Sequence, residues 1–325
     1  MQTRQLGRTD LHITPIGFGA WAIGGEWRFG WGPQDDAESV AAIRQAVSRG
    51  MNWIDTAPAY GLGHSEDVVA RALADIPRAE RPYVFTKCSL VWGEDRIVTH
   101  NLSSASLRRE VEDSLRRLQV EAIDLYQIHW PRWQAVSEPS PGSVEEAWHT
   151  LAELKQQGKL RHIGVSNFTV EDLKTAEAIA PVASLQPPYS MLRRAIEAEV
   201  LPYCLQTNIG VLVYSPMQSG LLTGAMTRER IEGLAASDWR RHNKEFQEPQ
   251  LTANLALVAV LRGIGARHGR SPGEVAIAWT LRQPVVTAAI VGGRSASQVD
   301  GVVGAADVRL STEELAEIET ALPRG

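Results

Sequence analysis

Apolar positions along the chain fall into short unbroken runs separated by longer stretches in which they recur every three to four residues. The runs at 16–19, 52–55, 83–87, 122–129, 160–166, 184–187, 210–215 and 288–291 do not alternate with polar residues, which predicts strands covered on both faces. Helical periodicity fills the segments 37–49, 65–74, 104–118, 144–157, 170–178 and 195–206, and continues at 271–281 and 296–305 near the end. Local punctuation agrees with these limits. Ser104-Ala-Ser-Leu opens the third helix, Ser271 with Pro272 and Glu274 makes a capping-box pattern, and Gly50 and Gly158 stand where two helices should stop.

Repeated strand and helix units with buried strands and right-handed crossovers predict an α/β fold, a (β/α)8 TIM barrel, with an open doubly wound sheet as its rival. Nothing along residues 1–325 reads as a linker, so one continuous domain is expected. Two pieces stand outside the repeat. Residues 4–6 and 11–14 around Gly7-Arg8-Thr9-Asp10 predict an N-terminal hairpin that plugs the barrel bottom. The long polar loop after strand seven, at about 217–250, is placed to act as a flap over a ligand.

Composition narrows the function classes. Lys and Arg number 33 against 38 for Asp and Glu, a net charge of −5 with no basic run, which argues against a nucleic-acid partner. Neither a basic tip with an apolar core at the start nor a membrane-length apolar window occurs, so a cytoplasmic protein with no membrane partner is expected. Cys88 and Cys204 are far apart and lack CxxC spacing, which suggests neither a disulfide framework nor a metal cage. The 10 tryptophans are unusual, and those beside Gly and Pro in loops suit pocket walls.

In such a barrel the reactive groups sit at the carboxyl ends of the strands. Here those ends are Asp55, Lys87, His129, Ser166-Asn167, Gln186 and Tyr214-Ser215, all polar and preceded by apolar residues such as Trp53-Ile54 and Val84-Phe85. Together with Tyr60, in a Pro- and Gly-containing loop just past Asp55, they offer proton-transfer chemistry that requires no metal. A free phenol with a pKa near 10 needs a nearby cation to stabilise its phenolate. Lys87 can be that cation, Asp55 can hold the ammonium, and His129 can hydrogen-bond to the oxygen being protonated. Gly17-Phe-Gly19-Ala-Trp-Ala22 matches a dinucleotide fingerprint, but the glycines and proline that follow at 24, 25, 30, 32 and 33 forbid the helix it needs.

Asp55-Thr-Ala-Pro-Ala-Tyr60-Gly, Thr86-Lys87, Ile128-His129-Trp130-Pro, Gly164-Val-Ser-Asn-Phe168, Gln186-Pro-Pro-Tyr189 and Tyr214-Ser215-Pro216 with Gly220-Leu-Leu-Thr-Gly224 resemble the aldo-keto reductases across nearly the whole chain. The likeness is to the bacterial branch of general-stress and inositol-operon reductases. It implies an enzyme that reduces an aldehyde or ketone with NADPH, or oxidises the alcohol with NADP+, and that acts on a small molecule. Tyr60 is then general acid, Lys87 and Asp55 tune it, and His129 orients the carbonyl. The resemblance also assigns Ser166, Asn167 and Gln186 to the nicotinamide amide, Tyr214 to stacking under the ring, and Ser215, Gly220 and Leu222 to the pyrophosphate. Gly292, Arg294 and Gln298 fall in the segment that receives the 2′-phosphate, although Val302 stands where relatives often carry Asn. Trp21, Trp31, Trp92 and Trp130 are expected to wall the substrate pocket, which suits an aromatic, alicyclic or sugar-like carbonyl. Two rivals remain: a nucleotide-binding regulatory barrel with little turnover, and an isomerase or lyase using the same Lys and Asp without a redox cofactor.

Overall fold

The apolar runs form strands in the computed structural model, which describes residues 1–25, 27, 30–133, 140–235 and 238–323. Numbered along the barrel, these are β1 (Ile16–Gly19), β2 (Trp53–Asp55), β3 (Tyr83–Cys88), β4 (Ile123–Ile128), β5 (Leu160–Ser166), β6 (Ser184–Gln186), β7 (Gly210–Val213) and β8 (Val286–Gly292). Each pairs in parallel with its neighbour in sequence, and β8 returns to β1 with Ala289 opposite Ile16 and Gly292 opposite Gly19. The sheet is therefore closed, as a (β/α)8 barrel requires, and the open-sheet rival is excluded. Closure removes every edge and brings the carboxyl ends of the strands to one mouth.

Helices α1 (Asp36–Ser48), α2 (His64–Leu73), α3 (Ser104–Leu118), α4 (Val144–Gln156), α5 (Val170–Glu177) and α6 (Val200–Thr207) each follow a strand. Ser103, one residue before the expected cap, accepts from Ser106 N to start α3, and Thr169 forms a reciprocal box with Asp172 at α5. Caps of this kind contribute about 1 kcal/mol each. The segment expected as one helix at 195–206 is split into a 3₁₀ turn, Ala195–Glu197, and α6, because Glu199 leaves helical dihedrals. After β7 come a short α7 (Arg228–Glu232), then α8 (Gln250–His268), α9 (Pro272–Leu281), α10 (Ala296–Val303) and α11 (Thr312–Ala321). The sequence pattern did not predict α8 or α11. Apolar residues surround much of α8, so its buried stripe through Leu251, Asn254, Val258 and Leu261 has little contrast. In α11 only Glu314 and Ile318 are buried.

The amino-terminal hairpin pairs Arg4–Gln5 with His12–Ile13, and Arg4 Nη1 donates to the carbonyl of Val286, the first residue of β8, at 3.0 Å. Leu6, Leu11 and Ile13 pack with Trp53, Phe85 and Leu125 inside the barrel floor, as expected for a plug. Burying each such side chain contributes roughly 1.5 to 3 kcal/mol. Gly17 is required by this packing, since a Cβ there would stand 2.1 Å from the Trp53 indole. Its glycine serves the barrel wall, and the chain after Gly19 enters a 3₁₀ turn, Ala20–Ile23, rather than the helix of a dinucleotide fingerprint. Among the described residues no helix is long and apolar enough to cross a membrane.

A second hairpin, Leu90–Trp92 with Val98–His100, was not anticipated; it leaves β3 through Ser89, whose φ is 80°. Glu110 of α3 holds this corner by accepting from Ser89 N and Ser106 Oγ, each at 2.8 Å. Burial pushes the Glu110 carboxyl up to about 7 from its ordinary 4.5. The folded state therefore binds a proton that the unfolded chain releases near 4.5, and stability attributable to this group falls as pH rises from about 4.5 through 7. A difference that large is on the order of 3 kcal/mol. Urea unfolding of wild type and Glu110→Gln at pH 5 and pH 8 should show the wild type losing stability relative to the variant on the alkaline side. A constant difference across that range would show that Glu110 does not titrate on folding.

Candidate active site

Strands β2 and β3 lie side by side, with Asp55 the last residue of β2 and Lys87 the last but one of β3, so two charged groups meet inside the mouth. Lys87 Nζ donates to Asp55 Oδ1 at 2.5 Å, to the Thr56 carbonyl at 3.0 Å and to the Tyr60 hydroxyl at 3.3 Å. Lys87 is 0% exposed and Asp55 2%. Buried charge is tolerated only when its hydrogen-bonding groups are matched, and here each ammonium proton has an acceptor. Tyr60 reaches the ammonium because residues 57–63 turn tightly, with Tyr60 N donating to Ala57 O at 3.1 Å. Gly61, at φ +67°, passes so close to the Gly24 carbonyl that a Cβ would lie 1.9 Å from it. His129 follows β4 and sets its ring edge-on to Tyr60, 5.8 Å between centroids.

Burial is the largest influence on the Tyr60 phenol and raises it; Lys87 opposes and Asp55 adds to the rise, leaving it above its ordinary 10. Lys87 does act on the phenol in the expected sense, lowering it through its charge and its hydrogen bond, but burial outweighs the cation. Burial pulls Lys87 down, but Asp55 and then Tyr60 more than offset it, so the side chain is held as an ammonium. His129 is driven well below its ordinary value by burial first, then by the charge of Lys87 and by His100, and is a neutral imidazole near pH 7. The cluster therefore presents a protonated phenol, a fixed cation behind it and a neutral ring beside it. That is a proton donor whose conjugate base is stabilised in place.

Above it opens a cavity of about 560 Å³ with Asp55, Tyr60 and His129 at its base. Ser166, Asn167, Gln186, Tyr214 and Ser215 line one side, and Gly220, Gly292 and Gln298 lie further along it. These are joined to one another: Tyr214 Oη donates to Asn167 Oδ1 at 2.8 Å, Asn167 Nδ2 donates to the His129 carbonyl at 3.0 Å, and Ser166 Oγ donates to the Gln186 carbonyl at 2.8 Å. Asn167 achieves this at φ 61°, a left-handed conformation that Asn tolerates. Gly220, at φ +92°, presents bare backbone. Amide and hydroxyl groups at one end and glycine backbone at the other fit an elongated polar cofactor with one carboxamide end.

Four expected site residues do not line the cavity, the first being Lys87, which is fully buried behind Asp55 and Tyr60. Trp92 sits outside the lining, with its ring 5.9 Å beneath the Arg117 guanidinium. Leu222 is 0% exposed in the main core, and its N–H already bonds to the Met217 carbonyl at 3.1 Å. Arg294 turns to the loop after β1, donating Nε to Gln34 Oε1 and Nη2 to the Pro33 carbonyl, each at 2.5 Å. Its own N–H donates to Gln298 Oε1 at 2.9 Å. Trp21, Trp31 and Trp130 do wall the cavity.

Sequence reasoning missed Trp27, Trp133, Leu90, Val98 and Arg240, which also line it. The two tryptophans carried a signal, since each lies near one already singled out, and Arg240 belongs to the loop expected as a flap; Leu90 and Val98 carried none. Arg240 stands 4.8 Å over the Trp31 ring and is forked on Asp238, while Trp239 lies 6.3 Å from Trp21. The loop expected as a flap thus meets the β1 loop over the cavity, with Met217, Ser219 and Met226 also facing in. Residues 236–237 of that loop lie outside the described residues.

Residues 15–323 match the model of the Aldo/keto reductase family. The chain is 37% identical over 324 residues to Aldo-keto reductase YhdN of Bacillus subtilis, covering 99% of this chain and 94% of that one. It is 35% identical over 338 residues to the NADH-specific methylglyoxal reductase of Escherichia coli, covering all of both. Among solved structures it resembles the glycerol dehydrogenase from Gluconobacter oxydans, with a TM-score of 0.87 and 39% identity over 99% of this chain and 94% of the other.

Proposed function

This chain belongs to the aldo/keto reductase family of carbonyl-reducing oxidoreductases with nicotinamide cofactors, and on that premise we propose that it reduces an apolar aldehyde or ketone with NADPH, Tyr60 supplying the proton. The observation that carries this reading is the contact of Tyr60 with the buried Lys87 and Asp55 at the base of the cavity. In reduction the raised phenol is the acid form, and it donates its proton to the carbonyl oxygen. The Lys87 ammonium at 3.3 Å stabilises the phenolate left behind, and Asp55 keeps the ammonium from moving away. Neutral His129 donates a hydrogen bond to the same carbonyl oxygen and so orients it. When bound, the nicotinamide supplies the hydride.

Ser166, Asn167 and Gln186 would hold the nicotinamide amide, Tyr214 its ring, and the backbone at Ser215 and Gly220 the pyrophosphate. Gly292 and Gln298 lead to the adenosine end, where Arg294 would take the 2′-phosphate in place of Gln34 and Pro33, which now accept its hydrogen bonds. Trp21, Trp31, Trp130 and their neighbours Trp27 and Trp133 favour a flat apolar carbonyl over a small polar one. We treat residues 1–325 as one catalytic domain, since α8 and α11 contribute Leu257, Leu261 and Ile318 to the same core as the barrel.

Tyr60→Phe should lower kcat by about 10² to 10⁴ and leave nucleotide affinity unchanged. In the wild type, alcohol oxidation needs the phenolate and should rise by up to about tenfold per pH unit below the phenol's pKa, from pH 6 towards 9. A Phe variant with most of its turnover, or an oxidation profile levelling off near pH 6.5, would take the proton role from Tyr60.

Arg294→Ala should weaken NADPH about ten- to a hundredfold and leave NADH nearly untouched, which titration of tryptophan fluorescence measures. Equal use of both nucleotides by the wild type, or equal loss of both in the variant, would remove Arg294 as the 2′-phosphate reader.

A further inference from the structure

Gln127 is an amide in the middle of the apolar strand β4, between Tyr126 and Ile128, and is 0% exposed. It sits opposite Lys87 in the β3–β4 register and opposite Gly164 in the β4–β5 register. A Cβ at Gly164 would lie 2.4 Å from Ser184 Oγ and 3.3 Å from Gln127 Cγ, so this glycine serves the approach of Ser184 first and Gln127 second. An amide buried this deeply is costly unless both its ends are used, and an apolar residue of the same length would fill the space without that cost. Both ends are used here. Its Nε2 donates to Asp55 Oδ2 at 3.4 Å, and its Oε1 accepts from Gln186 Nε2, also at 3.4 Å. Gln186 Nε2 donates in addition to Asp55 Oδ2 at 2.8 Å.

The two ends of an amide are chemically distinct, so this arrangement has one sense. Asp55 Oδ2 can only accept, which fixes the Gln127 donor towards it and the Gln127 acceptor towards Gln186. Gln186 must then keep its nitrogen inside the barrel wall, and its Oε1 is the end left for the cavity that it lines. An outward acceptor suits a carboxamide N–H; an outward nitrogen would not.

We propose that Gln127 is a positioning residue that, beside Asp55, braces the amide orientation of Gln186, and so stiffens the link between the carboxamide end of the cofactor pocket and the carboxylate that holds Lys87. This rests on the reading of Gln186 as a nicotinamide-amide partner. Without Gln127 the Gln186 nitrogen keeps its 2.8 Å bond to Asp55 Oδ2 but loses its second acceptor, so its orientation rests on one contact instead of two and a carboxamide bound there meets a less firmly held acceptor. The chain from cofactor end to proton donor runs Gln186, Asp55, Lys87, Tyr60, with Gln127 bracing its first link.

The test uses two variants of the full chain, with NADPH binding followed by quenching of tryptophan emission. Gln127→Met keeps length and loses both hydrogen-bonding ends; it should weaken NADPH about five- to tenfold, with the melting temperature lowered only modestly because Asp55 Oδ2 keeps its bond to Gln186. Gln127→Glu mimics the amide only when protonated, since the acid then donates to Asp55 and accepts from Gln186. Its affinity for NADPH should approach wild type near pH 5.5 and fall as pH rises, while that for 2′,5′-ADP, which lacks the carboxamide and is measured by competition, stays constant; a general electrostatic disturbance of the pocket would weaken both. Wild-type affinity in Gln127→Met, or a pH-independent affinity in Gln127→Glu, overturns the proposal while leaving the nicotinamide reading intact. A wild type whose emission NADPH does not change overturns that reading and this one together.

Discussion

The mouth of this barrel is organised by one buried ion pair, Lys87 with Asp55. Withdrawing two such charges from water costs several kcal/mol for each ion, and their attraction alone does not reliably offset it. What makes the pair tenable is saturation. The ammonium also meets the Thr56 carbonyl and the Tyr60 hydroxyl, and the second carboxylate oxygen takes Gln186 and Gln127. An apolar pair would serve the fold as well, so a charge pair in this place marks a site that works by charge. Tyr60 and His129 owe their proton states to it and to the burial around it: the phenol held up despite the cation, the imidazole held neutral partly because of it.

The barrel fixes who can join that pair. Parallel closure sets the ends of β2 to β7 round one opening, and the side chains there come from segments more than a hundred residues apart, as Asp55 and Gln186 do. The loops then supply what strands cannot. The turn after β2 brings Tyr60 back over Lys87, while the loop after β1 and the insertion after β7 meet through Trp31 and Arg240 to roof an aromatic chamber. Proton donor and apolar wall are thus built by different parts of the chain on one rigid floor.

Much of this was legible beforehand because the signals were local. Unbroken apolar runs ending in a polar residue marked the strands and their reactive ends, and the capping pattern at Ser271 with Glu274 is the observed start of α9. What escaped depended on contacts between distant segments. The position of Arg294 was readable, but its partners Gln34 and Pro33 lie some 260 residues away in sequence. Trp92 has the loop setting of a pocket wall, and nothing in the sequence shows that its ring lies against Arg117 instead. One amide inside an apolar run changes no periodicity, so Gln127 carries no signal in the sequence. The sequence shows the cation beside Tyr60 and not the depth of burial that outweighs it.

The claim that the ammonium, fixed by Asp55, makes Tyr60 a working acid is tested most directly by single-turnover hydride transfer in Lys87→Met, measured beside NADPH affinity in the same variant. Met keeps the bulk of the side chain and removes only the charge and its donors. The account predicts a transfer rate lower by about 10³ or more with affinity within about threefold of wild type, because the lost interaction is made in the transition state. A variant that transfers hydride within about tenfold of wild type, or one that loses nucleotide binding in the same proportion as rate, would contradict it.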